Sequence, residues 1–294
     1  MRVKLQPMRV AFATCSAFGE GAPDDQPVAE LVGGAFETWD DPDVDWASYD
    51  RVVLRSVWDY TDRPDAFLAW CRSVGGDRLR NSPEIVAFNI DKRYLADLAM
   101  PTVPTIFVEP GAPLPALDGE VVVKPNISAG ARHTGRFGPA SHGLAGDLIR
   151  TICDSGRTAL VQPYLADVDV RGEISLIHFH GELSHVAVKR AILAPDEVAP
   201  VATDGIETGV AAAMLADDLI DPGQADEAEI ELARQVLAEV TRRFAEPPLY
   251  ARVDIVRDAG GRPVLLELEL IEPDLFLSTS RGAHERLAAA IAVS

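Results

Sequence analysis

Short apolar runs alternate with segments of helical spacing along the N-terminal part of the chain. The runs are short enough to be buried strands, and the segments between them repeat apolar residues at intervals of three and four. The predicted strands cover 9–14, 35–39 and 51–54, and the predicted helices cover 27–32 and 64–73. Strands that alternate with helices favour a parallel sheet covered by helices, so the predicted fold class is α/β.

Polar and aromatic residues follow two of these strands. Cys15 and Ser16 come after the first strand, and Arg55, Trp58 and Tyr60 come after the third. Ligands of open parallel sheets bind beyond the carboxyl ends of the strands, so these five residues are candidate contacts for a small-molecule substrate. An equally good interpretation is that Trp58 and the nearby Tyr60 only cover the edge of the sheet.

Beyond residue 80 the predicted elements become longer. Helices are predicted to begin at Ser82, to run from Asn89 to Leu98, and to cover 142–154, 225–244 and 284–293. Strands are predicted over 105–108, 120–124, 159–164, 170–179 and 183–189. The segment 190–224 lacks periodicity, and so long a stretch predicts a lid or a surface loop.

A hairpin with a Gly-rich turn is predicted near the C-terminus. Side chains alternate along a strand, so Arg252 shares a face with Asp254, and Glu267 shares one with Glu269. The other face carries Leu266, Leu268 and Leu270. Carboxylates on a buried face need a counter-charge, and their hard oxygens suit magnesium. The three acids are therefore candidate metal ligands, unless this face of the hairpin lies in water.

Two further features are typical of a nucleotide site. Lys124 ends an apolar strand, where a lysine either solubilises the strand end or binds an anion. The small residues of the loop 126–136 allow backbone N–H groups to approach a phosphate, although no Walker A sequence occurs in the chain. At the end of a later strand, Gln162, Tyr164 and Leu165 offer polar groups and apolar walls for a nucleobase.

The composition limits the partners. The 294 residues carry a formal net charge of −19, which argues against a protein that holds nucleic acid through broad phosphate contact. No apolar run approaches the roughly 20 residues of a membrane span. The three cysteines are too widely spaced for a disulfide framework or a zinc knuckle, which favours the cytoplasm. Residues 1–7 are expected to be an extension, an alternative start or a loose arm.

Together these segments resemble the ATP-grasp ligases. The resemblance extends from about Pro83 to the C-terminus, after an N-terminal domain of the kind these enzymes usually carry. It is strongest to the glutathione-synthetase-like branch and, within that branch, to the cycloserine synthetases, which are O-ureido-serine cyclo-ligases. The motifs that carry it are 55–60 (RSVWDY), 89–95 (NIDKRYL), 123–130 (VKPNISAG), 161–164 (VQPY), Ser184-His185 with Lys189, 251–254 (ARVD) and 266–273 (LELELIEP).

The resemblance implies which residues bind ATP. Two lysines would reach the phosphates, a small-residue loop would close over them, and a strand end would hold the adenine and the ribose. The two lysines are Lys92 and Lys124, and the loop residues are Ser128, Ala129, Gly130 and Thr134. The residues at the strand end are Gln162, Tyr164, Leu165 and Glu173.

The resemblance also implies the catalytic set. Asp254, Glu267 and Glu269 would bind Mg²⁺, although the last ligand of the family is often Asn. Arg252 and Lys124 would act on the transferred phosphoryl group. The candidate substrate contacts are Cys15, Ser16, Arg55, Trp58, Arg136, His185 and Lys189.

The implied fold is the ATP-grasp fold with an N-terminal parallel-sheet (pre-ATP-grasp) domain, divided into 1–82, 83–164 and 165–294. The implied activity is ADP-forming carboxylate–amine ligation through an acyl phosphate, with ATP and Mg²⁺ as cofactors and an amino-acid-like substrate. We expect cyclisation of O-ureido-D-serine to D-cycloserine. Family members are often homodimers, so a homodimer is an expected assembly.

Three other interpretations stay open. The enzyme could join two separate substrates, such as an amino acid and an amine or peptide. The chain could be a sensor that binds nucleotide without turnover, although a sensor has no need of two lysines and three carboxylates. His178, His180 and His185 could form a zinc site, but no cysteine joins them.

Overall fold

The computed structural model describes residues 8–198 and 219–294. The expected N-terminal arm and most of the expected lid, 190–224, lie outside the described residues. Within them the strands form three sheets. No helix in the described part of the chain is both long enough and apolar enough to cross a bilayer.

The first sheet is parallel, as the alternating pattern predicts. It contains β1 (Val10–Thr14), β2 (Ala35–Thr38), β3 (Arg51–Leu54) and β4 (Leu79–Arg80), in the order β2-β1-β3-β4. Alternate residues of β1 pack against α1 (Gln26–Val32) and α2 (Pro64–Val74) on the two faces of the sheet. The pattern misses β4, because two residues are too few to show a period.

The second sheet is antiparallel and lies in the middle of the sequence. Its strands are β5 (Ile106–Val108), β6 (Val121–Pro125), β7 (Gly135–Phe137) and β8 (Ala159–Pro163), in the order β5-β8-β6-β7. The helix α4 (His142–Asp154) packs on it through Leu148 and Ile149. The strand β7 begins within the predicted loop 126–136, where Gly135 and Arg136 pair with β6.

The third sheet is also antiparallel and carries the predicted hairpin. Its strands are β9 (Glu173–Phe179), β10 (Glu182–Lys189), β11 (Ile220–Pro222), β12 (Tyr250–Arg257) and β13 (Pro263–Glu269), in the order β11-β10-β9-β12-β13. The long helix α6 (Glu227–Phe244) buries Leu232, Val236 and Val240 against it. The last helix, α7 (Ala283–Val293), packs against α1 and so joins the two ends of the chain.

Two predicted elements are wrong in detail. The predicted strand 170–179 begins only at Glu173, because 167–171 form the short helix α5 (Asp167–Arg171). The two elements meet at Gly172, whose φ of +77° suits glycine. The predicted helix from Asn89 to Leu98 is instead the end of α3 (Pro83–Asn89) followed by a short 3-10 helix, Lys92–Ala96.

The segment that contains α3 and this 3-10 helix packs on the third sheet rather than the second. Tyr94 lies in the same apolar cluster as Leu268, and its hydroxyl bonds both the carbonyl (2.8 Å) and the N–H (2.7 Å) of Leu268. The side chain of Asn89 bonds the Leu268 carbonyl and the Leu270 N–H, each at 2.8 Å. These side chains satisfy the outer edge of β13 and bring Lys92 to the face of the hairpin.

Candidate active site

A cavity of about 510 Å³ lies where the three parts of the chain meet. Trp58 and Tyr60 reach it from the loop after β3, Lys124 and Gln162 from the second sheet, and Glu267 from β13. Because the wall is built from all three sheets, the cavity exists only when they are packed together.

Two lysines converge on one carboxylate in this cavity. The Nζ atom of Lys92 lies 3.1 Å from Oε1 of Glu267, and the Nζ atom of Lys124 lies 3.3 Å from its Oε2. Both lysines are more than nine-tenths buried. Burial alone would raise the pKa of Glu267, but Lys124 and Lys92 hold it well below its usual range. The structure thus forms a buried, charged cluster in which each lysine lies more than 140 positions from Glu267 in the sequence.

The loop after β6 lies beside these lysines. Lys92 donates a hydrogen bond from Nζ to the carbonyl of Ser128 at 2.7 Å. Gly130, Ala131 and His133 all have positive φ, between 53° and 62°. Positive φ is uncommon for residues other than glycine, so Ala131 and His133 mark an unusual backbone path in this loop. Of the residues implied for the phosphate loop, all four line the cavity: Ser128, Ala129, Gly130 and Thr134.

The hairpin supplies a second charged cluster. Arg252 donates from Nε to Oδ1 of Asp254 at 2.9 Å, and its Nη2 also binds the Glu269 carboxylate. The same Asp254 oxygen accepts a 2.6 Å hydrogen bond from Ser175. Asp254 is 1% exposed and is not part of the cavity wall, whereas Arg252 and Glu269 are.

The acidic end of the cavity contains more negative charge than the nearby cations compensate. Burial raises the pKa of Glu269 to about 7, although Arg252 opposes the shift. Burial and then Glu269 raise the pKa of Glu272 to about 8. Buried carboxyls of this kind favour an added cation.

Magnesium fits this donor set in part. Glu267 and Glu269 present hard oxygen ligands from the same face of one strand, at the cavity wall. Asp254 stands opposite Glu267 in the strand ladder, but Arg252 and Ser175 engage its carboxylate. Within residues 8–198 and 219–294, no group of three acidic, histidine or cysteine side chains is already arranged as a metal site.

The other end of the cavity is apolar. Its wall includes Val103, Leu165, Val168, Val256 and Leu266, close to Gln162 and Tyr164. Gln162 is 3% exposed and donates to Thr105 Oγ1 at 2.9 Å. Apolar walls with a few polar groups suit a nucleobase.

Leu266 lies on this wall because the hairpin contains a β-bulge. Asp254 pairs with Glu267, but the next residue, Ile255, pairs with Leu265, so Leu266 has no partner. The prediction that Leu266 shares a face with Leu268 is therefore wrong. A bulge shifts the alternation by one residue, and a regular pattern of period two cannot reveal it.

Glu173 and Lys189 line the cavity as an ion pair. They are register partners on β9 and β10, and Lys189 Nζ lies 2.5 Å from Glu173 Oε2. Burial lowers the pKa of Lys189, but Glu173 outweighs it, so the lysine pKa lies above its ordinary value. The two residues implied separately for ribose and substrate thus act as one unit.

Five candidate substrate contacts lie outside the cavity wall. Cys15 is fully buried below the sheet edge, and Ser16 is exposed. Arg55 is buried in an ion pair with Asp25, at 2.8 Å. His185 bonds the Leu275 carbonyl through Nε2 at 2.9 Å. The fifth residue is Arg136, and the geometry does not support substrate contact for any of them.

Arg136 supports the strand end that carries the apolar wall. Its guanidinium bonds Glu120 at 2.7 Å and Asp169 at 3.0 Å and lies 3.5 Å from the centre of the Tyr164 ring. It therefore connects β7 to the segment between β8 and α5.

The zinc interpretation gains no support. His178 bonds the Leu176 carbonyl, His180 that of Ala290, and His185 that of Leu275. Three rings that face three separate backbone carbonyls do not share a metal.

Several residues of the cavity wall are not among the candidates drawn from the sequence. They are Phe18, Arg132, Glu272, Asp274 and Phe276. Of these residues, Glu272 and Asp274 could have been found from the sequence, since a Glu-Pro-Asp sequence at a strand end places two carboxyls beside the metal candidates.

Three sheets in this arrangement, with buried lysines and acids around one cavity, define the ATP-grasp class of fold. Residues 10–81 match the family described as "D-cycloserine synthetase DcsG, N-terminal domain". The cycloserine biosynthesis protein DcsG of Streptomyces lavendulae is 34% identical over 270 residues, which cover 86% of each chain. The crystal structure of D-cycloserine synthetase DcsG has a TM-score of 0.83 at 30% identity and covers 97% of this chain and 99% of that one. The chain belongs to the D-cycloserine synthetase DcsG family.

More distant structures share the fold alone. The D-alanine–D-alanine ligase of Bacillus anthracis, complexed with ATP, has a TM-score of 0.63 at 14% identity and covers 97% of this chain and 96% of that one. The ATP-grasp ligase PsnB, complexed with minimal precursor, Mg and ADP, has a TM-score of 0.57 at 16% identity, with 99% of each chain covered. The expected ATP-grasp fold with an N-terminal parallel sheet is thus confirmed.

Proposed function

We propose that the protein is an ATP-dependent, ADP-forming carboxylate–amine ligase that closes the ring of D-cycloserine from O-ureido-D-serine. The observation that carries the proposal is the convergence of Lys92 and Lys124 on Glu267 in a cavity shared by all three sheets. Membership of the DcsG family supports the choice of substrate.

The nucleotide is assigned to the apolar half of the cavity. Gln162, Tyr164 and Leu165 would hold the adenine, and the Glu173–Lys189 pair would lie near the ribose. The phosphates would lie against Lys92 and Lys124, below the 128–134 loop. Bound phosphate would offset the two buried ammonium groups, which pair with Glu267 alone among the described residues.

Glu267 and Glu269 are the proposed ligands of Mg²⁺, with Asp254 as the third. A bound Mg²⁺ would neutralise phosphate charge and so favour phosphoryl transfer. Glu267 and Glu269 would orient the phosphates against the lysines. Arg252, held by Asp254, would present its guanidinium to the transferred group.

The chemistry proceeds in two displacements followed by one hydrolysis. An oxygen of the substrate carboxylate attacks the γ-phosphorus of ATP, ADP leaves, and an acyl phosphate forms. The nitrogen bonded to the side-chain oxygen of the same molecule then attacks the acyl carbon, phosphate leaves, and the ring closes. That nitrogen still carries a carbamoyl group, which water must remove as carbamate to give D-cycloserine. Trp58, Tyr60 and the 128–134 loop would shield the acyl phosphate from water.

Phosphate release with Mg²⁺ and ATP tests the proposal. O-ureido-D-serine should stimulate release by the wild-type protein, and mass spectrometry should detect cycloserine without a second substrate. Release that needs an added amine would indicate ligation of two substrates. ADP binding without release, over a panel of amino acids and ureido derivatives, would indicate a sensor and overturn the proposal. The homodimer implied by the resemblance stays a prediction.

A further inference from the structure

The end of the cavity opposite the apolar wall combines aromatic rings with carboxyl groups. Phe18, Trp58 and Tyr60 line it from the N-terminal part of the chain, and Phe276 lines it from the segment after β13. Phe18 and Trp58 meet edge to face, with ring centres 4.8 Å apart. Aromatic walls around an acid are typical of sites that bind an organic cation.

Glu272 is a buried carboxyl at this end that pairs with no cation of the described residues. Lys92 and Lys124 pair with Glu267, and Arg252 pairs with Glu269. No lysine or arginine forms an ion pair with Glu272 in the described part of the chain, and its partner is the Tyr60 hydroxyl. Glu272 is nonetheless nine-tenths buried on the cavity wall.

The neighbouring Asp274 does not share this situation. One of its carboxylate oxygens accepts the backbone N–H of Phe276 at 2.9 Å, and the residue is exposed. A buried acid without a cation is costly, whereas an exposed, hydrogen-bonded one is not. Glu272 is therefore the group that a positively charged ligand would satisfy.

A second, independent feature at the same end favours a negatively charged group in the ligand. Arg132 is 6% exposed and lines the cavity, and its Nε is buried with no hydrogen-bond partner. Its Nη2 donates to the Trp58 carbonyl at 3.1 Å, and the Trp58 indole N–H donates to the Glu272 carbonyl at 3.3 Å. Trp58 thus bridges an unsatisfied donor and an acid without a cation.

We propose that Glu272 binds the ammonium group of an α-amino acid substrate and that Arg132 binds a carboxylate oxygen of the same molecule. An α-amino acid carries both charges on adjacent carbons, so one small molecule satisfies both residues, which lie on either side of Trp58. This assignment rests on the proposed function, because it describes the substrate of that same cavity. It makes Glu272 a specificity residue: an acid that lacks the ammonium group leaves the glutamate buried without a cation.

The test compares two substrates on wild-type protein and on Glu272→Gln, which keeps the size of the side chain and removes its charge. The substrates are O-ureido-D-serine and the analogue in which hydrogen replaces the ammonium group. Wild-type protein should prefer the amino acid in kcat/KM, and Glu272→Gln should lose ~30-fold on the amino acid, mainly through KM. The variant should change little on the analogue, and KM for ATP should not change.

Two further variants keep the result interpretable. Glu272→Asp retains the charge and should preserve most of the preference for the amino acid. Glu246→Gln, at an exposed glutamate outside the cavity, should match wild type on both substrates. Equal losses on both substrates, or a change in KM for ATP alone, would overturn the assignment of Glu272. If wild-type protein releases no phosphate with O-ureido-D-serine, the proposed function itself fails.

Discussion

At the scale of single residues, Glu267 is the centre of the site. Each of its carboxylate oxygens faces a different buried lysine, one from the 3-10 helix and one from β6. A carboxylate in this position compensates both lysines before nucleotide binds, and it is well placed to share a cation with the phosphates afterwards.

Removal of this charge should abolish turnover while the fold survives. Glu267→Gln preserves the shape but leaves Lys92 and Lys124 without their counter-charge and removes a proposed Mg²⁺ ligand. We expect ADP formation to fall by at least about 10²-fold, measured in a coupled assay with circular dichroism to check folding. Glu246→Gln serves as the control, and a Glu267→Gln protein with normal turnover would contradict the assigned role.

His178 should make stability depend on pH. The ring is 4% exposed, and burial lowers its pKa from 6.5 to about 4. The unfolded chain therefore binds a proton between pH 6.5 and 4 that the folded protein does not, so stability should fall as the pH falls through this window.

From pH 7 to pH 5 this group should contribute a loss of about 2 kcal/mol to the free energy of unfolding. Urea unfolding at both pH values measures the loss. His178→Asn removes the titration and should show a smaller loss over the same interval, although its stability at pH 7 is lower. Identical losses in the two proteins would exclude His178 as the cause.

At the scale of elements, the junction between α5 and β9 positions two residues of the cavity. Gly172 has φ +77° and ψ −179°, a region open almost only to glycine. A Cβ atom there would lie 2.7 Å from the carbonyl oxygen of Lys189. The close approach of Gly172 to β10 thus helps to hold the Glu173–Lys189 pair.

Gly172→Ala should disturb both stability and nucleotide binding. We expect a loss of about 1–3 kcal/mol in unfolding free energy from backbone strain, and an increase in KM for ATP because Glu173 and Lys189 move apart. Gly156→Ala is the matched control, since Gly156 also has positive φ but no atom within 4 Å of its Cβ position. It should lose some stability and keep the KM of wild type for ATP. If Gly172→Ala and Gly156→Ala had equal KM values for ATP, the junction at Gly172 would not be what positions the Glu173–Lys189 pair.

The accuracy of the sequence-based prediction also differs among elements. The strands β1 and β3 and the helices α2 and α6 have strong periodic patterns and were predicted within a few residues. The predictions at β7, at α5 and at the bulge beside Leu266 were wrong or incomplete. Their conformations depend on partner strands and on glycine geometry rather than on a local period.

At the scale of the whole molecule, two arginines attach the loop after β3 to the second sheet. Arg132 donates to the carbonyl of Trp58, and Arg157 donates to the carbonyls of Ile127 (2.7 Å) and Thr61. Because this loop supplies Trp58 and Tyr60 to the cavity, its attachment should affect the amino acid half of the site and not the nucleotide half.

Arg157→Gln should therefore separate the two halves kinetically. Loss of a charged donor to two backbone carbonyls should raise KM for the amino acid by roughly 10-fold and leave KM for ATP near its wild-type value. Arg150→Gln, at an exposed arginine of α4, is the control and should change neither constant. A parallel rise in both KM values for Arg157→Gln would mean that the loop does not act on one half alone.

The sequence by itself determined the chemical inventory of this protein and the local shape of most of its elements. Alternation along β12 and β13 depends only on bond geometry, so the shared face of Glu267 and Glu269 followed from their spacing. Tertiary structure decided which charge meets which, because Lys92, Lys124 and Glu267 meet only when three separate segments pack together. It also decided that no lysine or arginine of the described residues pairs with Glu272, since that depends on what the neighbouring elements bring to the cavity, and no local pattern contains this information.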